Sequence, residues 1–394
     1  MRDFNYYAPT EVVFGKQSEE QVAHLVKKYG GTKVLVHYGG QSTKRSGLLD
    51  KICYLLQKES VDFVMLGGVV PNPRLSLART GIELCRKEGV NFILAVGGGS
   101  VIDSAKCIAY GVGFGGDVWD IYLGKAEPKT MLPVASVLTI PAAGSEMSEA
   151  SVITNEDGDV KLGYSNNMAR PKFAIMNPER TFTLPPYQTA AGVTDMMMHT
   201  MERYFTKDDD MDLTTDMAET VLRRMKTAVF DVLKTPEDYR QRAQIMWGGS
   251  IAHNGLTGCG VSDDWATHQL EHELSGMFDV THGAGLAAVW PSWARYVMHE
   301  NLSRFVRFAV NVMEVPNDFT DPEGTALKGI EAMERFYHAI GMPINIKELI
   351  GRDITDDEIK EMTRKCSRNY SSTCGCLKVL KAEDMETIYK MARG

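Results

Sequence analysis

The chain is poor in cysteine and has no long apolar run. Its seven cysteines are scattered over 394 residues, and the number is odd. That pattern fits reduced thiols in a cytoplasm and argues against a disulfide framework. Cys374-Gly-Cys376, with Cys366 nearby, lacks the second paired cluster that a thiolate metal site needs, so ordinary thiols are expected there. The most apolar stretch, Met131 to Ala143, contains Ser136 and Thr139 and is too short to cross a bilayer. The opening, MRDFNYYAPT, lacks an apolar core, so no signal peptide is expected. Basic excess is missing too. A net charge of −8 argues against nucleic acid, which demands a basic face.

What remains is a soluble globular composition, long enough for two domains. The first half alternates β-branched runs with helical patterns. Lys33–His37, Val61–Leu66 and Asn91–Val96 read as strands, and Leu48 to Lys58 and Ser76 to Glu88 read as helices. Apolar strands separated by amphipathic helices predict a parallel sheet with crossover helices. From Pro186 onward helical patterns dominate. The boundary falls near Thr183-Leu-Pro-Pro186, where two prolines end one regime and can open a helix. The expected organisation is an α/β nucleotide-binding domain over 1–184 and an all-α domain over 185–394.

Gly97-Gly98-Gly99-Ser100 sits between a strand and a helix, with Asp103 and Lys106 in the following turns. Backbone N–H groups at such a junction attract a phosphate or pyrophosphate. A second glycine turn, Gly39-Gly40-Gln41-Ser42, follows the first of these strands. Two such turns at the carboxyl ends of parallel strands form a nucleotide crevice. A formal G-x-G-x-x-G at Gly111, Gly113 and Gly116 follows a helix instead of a strand and reads as a loop. The acid that normally receives an NAD ribose is missing after KVLVH. Tyr38, two glycines and Ser42 stand there, with Lys44 and Arg45 close behind. This leans toward NADP(H) over NAD(H).

Asp195 and His199 are four apart and share a helix face, as do His268 and His272. His282 follows in Thr-His-Gly, beside Gly283 and Gly285, where a turn is expected to bring backbone close to a site. One carboxylate and three imidazoles can hold a divalent metal and leave a position open. Spacing alone leaves open whether His268 or His272 is the ligand. His272-Glu273 lacks the second histidine of H-E-x-x-H, since Gly276 stands there, so a zinc-protease reading is poor.

The order GGGS-x-x-D-x-x-K, T-x-x-x-x-G-S-E, D-x-x-x-H, then H-x-x-x-H with a histidine ten residues on, resembles the iron-containing (group III) alcohol dehydrogenases. The VVFGK, YGGQSTKRSG, VVPNP, DVWD and THGAG segments are most similar to their butanol dehydrogenase branch. The resemblance covers nearly the whole chain. It implies a dehydroquinate synthase-like architecture with the active site in a cleft between the two domains, and a homodimer. It implies that Asp195, His199, His268 and His282 bind the metal, with Fe2+ first and Zn2+ next, and that His272 lies near the nicotinamide. It places Gly39, Gly40 and Ser42 near the adenosine end of the cofactor. Gly98, Gly99, Ser100 and Asp103 match its pyrophosphate and ribose contacts, and Thr139, Ser145 and Lys161 match further contacts. Ala143 departs from the pattern, where a threonine hydroxyl often stands.

The reaction these features imply is hydride transfer between a nicotinamide and a primary alcohol or aldehyde, with His272 either a proton relay or a structural partner of the nicotinamide amide or substrate. Met196 to Met198, Trp265 and Met277 flank the ligands and point to a small, mostly apolar substrate. A lyase or cyclase of similar architecture would need extra Lys and Arg around the metal. A non-catalytic metal- or nucleotide-binding protein is the third reading.

Overall fold

The structure, a computed structural model, describes all 394 residues. The chain divides into two compact units: Tyr7–Thr183, and Leu184–Gly394 together with Met1–Tyr6.

The first unit contains eight strands: β1 (Glu11–Phe14), β2 (Lys33–Tyr38), β3 (Asp62–Leu66), β4 (Phe92–Gly98), β5 (Val134–Ile140), β6 (Ala150–Asn155), β7 (Val160–Ser165) and β8 (Phe173–Met176). Six of them form a sheet in the order β1-β8-β5-β4-β2-β3, and every neighbouring pair is parallel. Strand β4 is buried from Phe92 through Val96, as a strand covered on both faces by crossover helices must be. The strand order reverses between β2 and β4: β3 lies beyond β2, while β5 lies beyond β4. Their carboxyl ends therefore open the crevice where ligands settle on such sheets. Gly39 follows β2, and Gly98 ends β4.

Strands β6 and β7 form a separate antiparallel hairpin that the sequence pattern did not disclose. Its tip is Asp157-Gly158-Asp159, with Gly158 and Asp159 both at positive φ. The hairpin packs on the Gly99–Gly113 helix. That helix corrects the expected loop, because Gly111 and Gly113 lie in its last turns. A Cβ on Gly111 would stand 2.1 Å from Ile82 Cδ1, and one on Gly113 would stand 2.7 Å from Thr130 Oγ1. These glycines serve close packing of the helix against its neighbours.

One buried histidine ties this unit together. His37 Nδ1–H donates to the Leu66 carbonyl at 2.9 Å, and Nε2 accepts from the Ser104 hydroxyl at 2.9 Å. Both nitrogens are satisfied in the neutral form. Burial pushes the ring down to about 4. The unfolded chain takes up a proton near 6.5, so this contribution is full above about pH 6.5 and is lost as pH falls toward 4. It amounts to about 3 kcal/mol. Denaturant midpoints measured from pH 7 to 4.5 should fall more steeply for the wild type than for His37→Gln. Parallel acid limbs would remove His37 as the cause.

The second unit holds helices and one isolated bridge, Cys374 to Leu380. Pro186 occupies the first position of the Pro186–Tyr204 helix, where its missing N–H costs nothing. Every residue of this helix from Thr189 to Tyr204 is buried, which makes it the core of the unit. An aromatic cluster closes one end, with Phe205 and Phe305 stacked at 4.4 Å and Trp290 and Trp293 beside Phe205. No helix is long and apolar enough to cross a membrane. All seven cysteines are free thiols.

Candidate functional site

In the first unit, glycines shape the carboxyl end of the sheet and one buried lysine holds a neighbouring loop. The Gly99–Gly113 helix starts without any side-chain cap, so its first N–H groups are available to an anion. A Cβ on Gly98 would stand 2.9 Å from Ile140 Cβ, and one on Gly99 would stand 3.0 Å from Ala143 Cβ. Only glycine lets this backbone lie against the end of β5. Ser100 and Thr139 are half-buried at the same end of the sheet, while Gly40 and Ser42 are exposed beyond β2. A Cβ on Gly40 would meet nothing within 4 Å.

Asp103 and Ser145 are already engaged. The Ser145 hydroxyl donates to Asp103 Oδ1 at 2.5 Å and accepts from Lys106 Nζ at 2.9 Å. Asp103 Oδ2 accepts from the Val152 amide at 3.0 Å. Lys106 Nζ also donates to the carbonyls of Ser145, Ser148 and Ala150 at 2.8, 2.9 and 2.8 Å. Burial pushes this ammonium down to about 8, against the opposing pull of Asp103. Lys106 thus fixes the loop that carries Ser145 and leads into β6. Lys161, on β7, is buried and within electrostatic reach of Asp103.

In the second unit, three helices carry the titratable cluster. The Pro186–Tyr204 helix presents Asp195, His199 and Glu202 at spacings of four and three. The Ala266–Phe278 helix presents His268 and Glu271, three apart, and His272. His282 does not sit in a turn, as expected, but begins the His282–Val297 helix. The neighbouring glycines explain how it gets there. A Cβ on Gly283 would stand 2.0 Å from the Ala191 carbonyl, and one on Gly285 would stand 2.6 Å from Glu271 Oε1. Without side chains at these two positions, the helix start lies directly on the other two helices.

Ligand atoms of Asp195, His268 and His282 all lie within 4.8 Å of one another. Both Nε2 atoms, of His268 and of His282, stand 3.8 Å from Asp195 Oδ1. Tetrahedral shells with bonds of ~2.1 Å need about 3.4 Å between ligands, so this trio is slightly open. His199 stands beside the trio, its ring centre 4.6 Å from that of His268. Its Nδ1 is spent on the Asp195 carbonyl at 3.0 Å. A second trio, Glu271, His272 and His282, has similar spacing. In it, however, Glu271 is committed to the Ser275 hydroxyl and to His282 Nδ1.

The proton inventory fits a metal. His268 Nδ1 donates to Glu202 Oε1 at 2.9 Å, and His282 Nδ1 pairs with Glu271 Oε2. Each carboxylate fixes a tautomer and leaves Nε2 with its lone pair. Asp195 Oδ1 and His268 Nε2 are buried with no hydrogen-bond partner. Two bare acceptors facing one another are costly unless a proton or a metal cation lies between them. Burial opposes charge on Asp195, but His199 and His282 hold its carboxyl well below the usual range. Burial also opposes charge on His268, yet Asp195 and Glu202 raise it to about 9. A field that draws a proton this strongly draws a divalent metal in the same way.

Sequence reasoning missed Glu202, Glu271, His253, Arg203 and the orienting role of Asp264. Glu202 continues the stripe of Asp195 and His199, and Glu271 follows His268 by three, so helical spacing held a signal for both. Asp264 accepts from the amides of Ala266, Cys376 and Leu377, anchoring the start of the His268 helix. Met196, Met197 and Met198, expected beside the substrate, are fully buried in the core of this unit. Trp265 and Met277 remain partly exposed.

A glycine-lined crevice at a sheet switch point and a carboxylate–imidazole cluster in a helical unit fit the class of dinucleotide-dependent oxidoreductases. The chain matches the family "Iron-containing alcohol dehydrogenase" over residues 9–178 and "Fe-containing alcohol dehydrogenase family, C-terminal" over 189–393. It is 38% identical to the NADH-dependent butanol dehydrogenase A of Clostridium acetobutylicum, over 99% of both chains. It is 33% identical to the NADPH-dependent aldehyde reductase YqhD of Escherichia coli, over 100% of both. Among solved structures, the NADH-dependent butanol dehydrogenase A of Thermotoga maritima superposes with a TM-score of 0.95 at 36% identity, covering 100% of this chain and 99% of the other. The chain belongs to the iron-containing alcohol dehydrogenase family. Its activity class is that of an NAD(P)-dependent alcohol dehydrogenase or aldehyde reductase, and the lyase reading is not favoured.

Proposed function

We propose that the chain interconverts small, mostly apolar aldehydes and primary alcohols of the butanal and butanol type, using NADP(H) in preference to NAD(H). One divalent metal, Fe2+ first and Zn2+ next, is held by Asp195, His199, His268 and His282. The observation that carries this reading is the unpartnered pair Asp195 Oδ1 and His268 Nε2. A metal there supplies a Lewis acid for the substrate oxygen, and the nicotinamide supplies or accepts the hydride. Asp195 contributes the negative charge, while Glu202 and Glu271 keep two imidazoles in ligand tautomers. Gly39, Gly40, Ser42, Gly98, Gly99, Ser100 and Thr139 cradle the dinucleotide. Asp103, Ser145 and Lys161 complete its site around the loop held by Lys106.

His272 passes the proton between substrate and solvent. It is half-buried, and its ring centre lies 5.8 Å from that of His282; imidazole is the side chain suited to proton transfer near neutral pH. His272→Ala should lower turnover about 10²-fold with metal content unchanged. Metal loss in that variant would make His272 a ligand instead.

The coenzyme preference rests on the end of β2. No carboxylate stands there to repel a 2′-phosphate, and the Lys44 ammonium lies 5.3 Å from the centre of the Tyr38 ring. The C. acetobutylicum relative, named NADH-dependent, supports a second reading with NADH. Kinetics with C2 to C6 aldehydes, NADPH and NADH, with the metal quantified, test both. A kcat/KM ratio for NADPH over NADH above about 10, or ~1.4 kcal/mol, is expected. A ratio below one establishes the NADH reading, and no aldehyde reduction with either coenzyme ends both.

A homodimer is supported by β1, an edge strand that ends in exposed Phe14 and is preceded by exposed Tyr6 and Tyr7. Light scattering on the purified chain checks it. Seven unpaired thiols support a cytoplasmic location.

A further inference from the structure

Trp265 immediately precedes the helix that carries His268, and its backbone is strained. It sits at φ 62° and ψ 9°, a left-handed conformation that a bulky side chain rarely adopts. Such strain persists only where the surroundings hold it. Here they do. The indole N–H donates to Asp263 Oδ2 at 3.2 Å, and the Arg203 guanidinium lies 4.7 Å from the ring centre.

Arg203 is itself buried, and its donors reach three segments of chain. Nη1 donates to the carbonyls of His199 at 2.7 Å and Ala252 at 3.2 Å, and Nη2 donates to His253 Nδ1 at 3.3 Å. His253 is thereby kept an acceptor, with its ring centre 4.0 Å from that of His199. The Trp265 ring stands edge-on to three imidazoles, at 5.9 Å from His199, 5.7 Å from His253 and 5.1 Å from His268. One cation and one indole therefore join the His199 helix, the end of the Tyr239–His253 helix and the start of the His268 helix.

We propose that Arg203 and Trp265 are positioning residues for the metal centre. The pair sets the approach of the His268 helix to the Asp195 helix, and the indole walls one side of the imidazole cluster. The inference rests on the metal reading above. Neither residue ligates anything; both act by holding His199 and His268 in register.

The left-handed backbone offers a test that separates positioning from stability. Glycine relieves the strain at this position and alanine keeps it, yet both delete the ring. Trp265→Gly should therefore melt at a higher temperature than Trp265→Ala. Both variants should bind metal about 10- to 100-fold more weakly than wild type, by a similar factor, in competition with a chromogenic chelator. The visible bands of the Co(II)-loaded protein should shift in both, and Trp265→Phe should recover most of the affinity. Affinity that follows melting temperature, with the alanine variant far weaker than the glycine variant, would make the role structural and overturn the proposal. Wild-type affinity and spectrum in both variants would overturn it too. A wild type that takes up no metal refutes the metal reading itself, and this inference with it.

Discussion

Asp195→Ala protein is expected to purify with under about a tenth of the wild-type metal and to reduce aldehydes with kcat/KM lowered at least ~10³-fold, or about 4 kcal/mol. The carboxylate is 4% exposed, with Nε2 of both His268 and His282 3.8 Å from Oδ1. Its Oδ1 also lies 3.1 Å from His199 Nδ1, so the carboxylate touches all three imidazoles. Burial opposes its charge, but His199 and His282 hold its carboxyl well below the usual carboxylate range. Its loss removes both a ligand and the charge that balances a divalent cation. Asp195→Asn is the closer control, because it keeps the volume and removes the charge. Elemental analysis and single-turnover reduction read the two effects separately. Full activity in a metal-free Asp195 variant would end the metal reading.

Replacing Glu202 with Ala should cost both stability and metal. Glu202 Oε1 accepts from the His268 backbone amide and from His268 Nδ1, each at 2.9 Å. Both donors are buried, and each left unpaired costs about 1–3 kcal/mol. A fall in stability of about 2–4 kcal/mol is expected, scaled down where water enters the cavity. Metal affinity should fall about 10- to 100-fold, because nothing then holds His268 in the Nδ1–H tautomer. Glu202→Gln keeps an acceptor oxygen and should lie between alanine and wild type in both respects. Thermal melts and chelator competition check the order. Wild-type metal affinity in the alanine variant would show that the tautomer is held by something else.

Several elements were legible because their cause is local. Strands β2, β3 and β4 are short apolar runs that alternate with amphipathic helices, and they fold as a parallel sheet. The helix opening at Pro186 follows from the fixed φ of proline. Other elements were not legible. The β6-β7 hairpin is short and only partly apolar, so its alternation is weak, and its partner on the Gly99–Gly113 helix is distant in sequence. Gly111 and Gly113 read as loop residues because glycine is a poor helix former. They stand inside a helix as glycines because Ile82 and Thr130 leave no room for a Cβ. The three methionines after Asp195 read as a substrate wall, but the helix is buried all round and takes them into the core. The bridge from the Ser145 hydroxyl to Asp103 and Lys106 was also not legible, because it joins a helix to a loop about forty residues on.

By itself, the sequence determined the two regimes of the chain, the glycine turns after the strands, and the Asp195–His199 and His268–His272 pairs. These are properties of periodicity and spacing along one element, and physics reads them without knowing the partner. Only the tertiary structure decided which imidazole faces the carboxylate. His268, not His272, is the one whose Nδ1 meets Glu202 and whose Nε2 is left bare beside Asp195. It likewise decided that Glu271 serves His282 and that a strained Trp265 walls the cluster. Tautomers, unpaired acceptors and left-handed backbones arise from groups that meet across helices. That meeting is set by packing, which no stretch of the chain specifies alone.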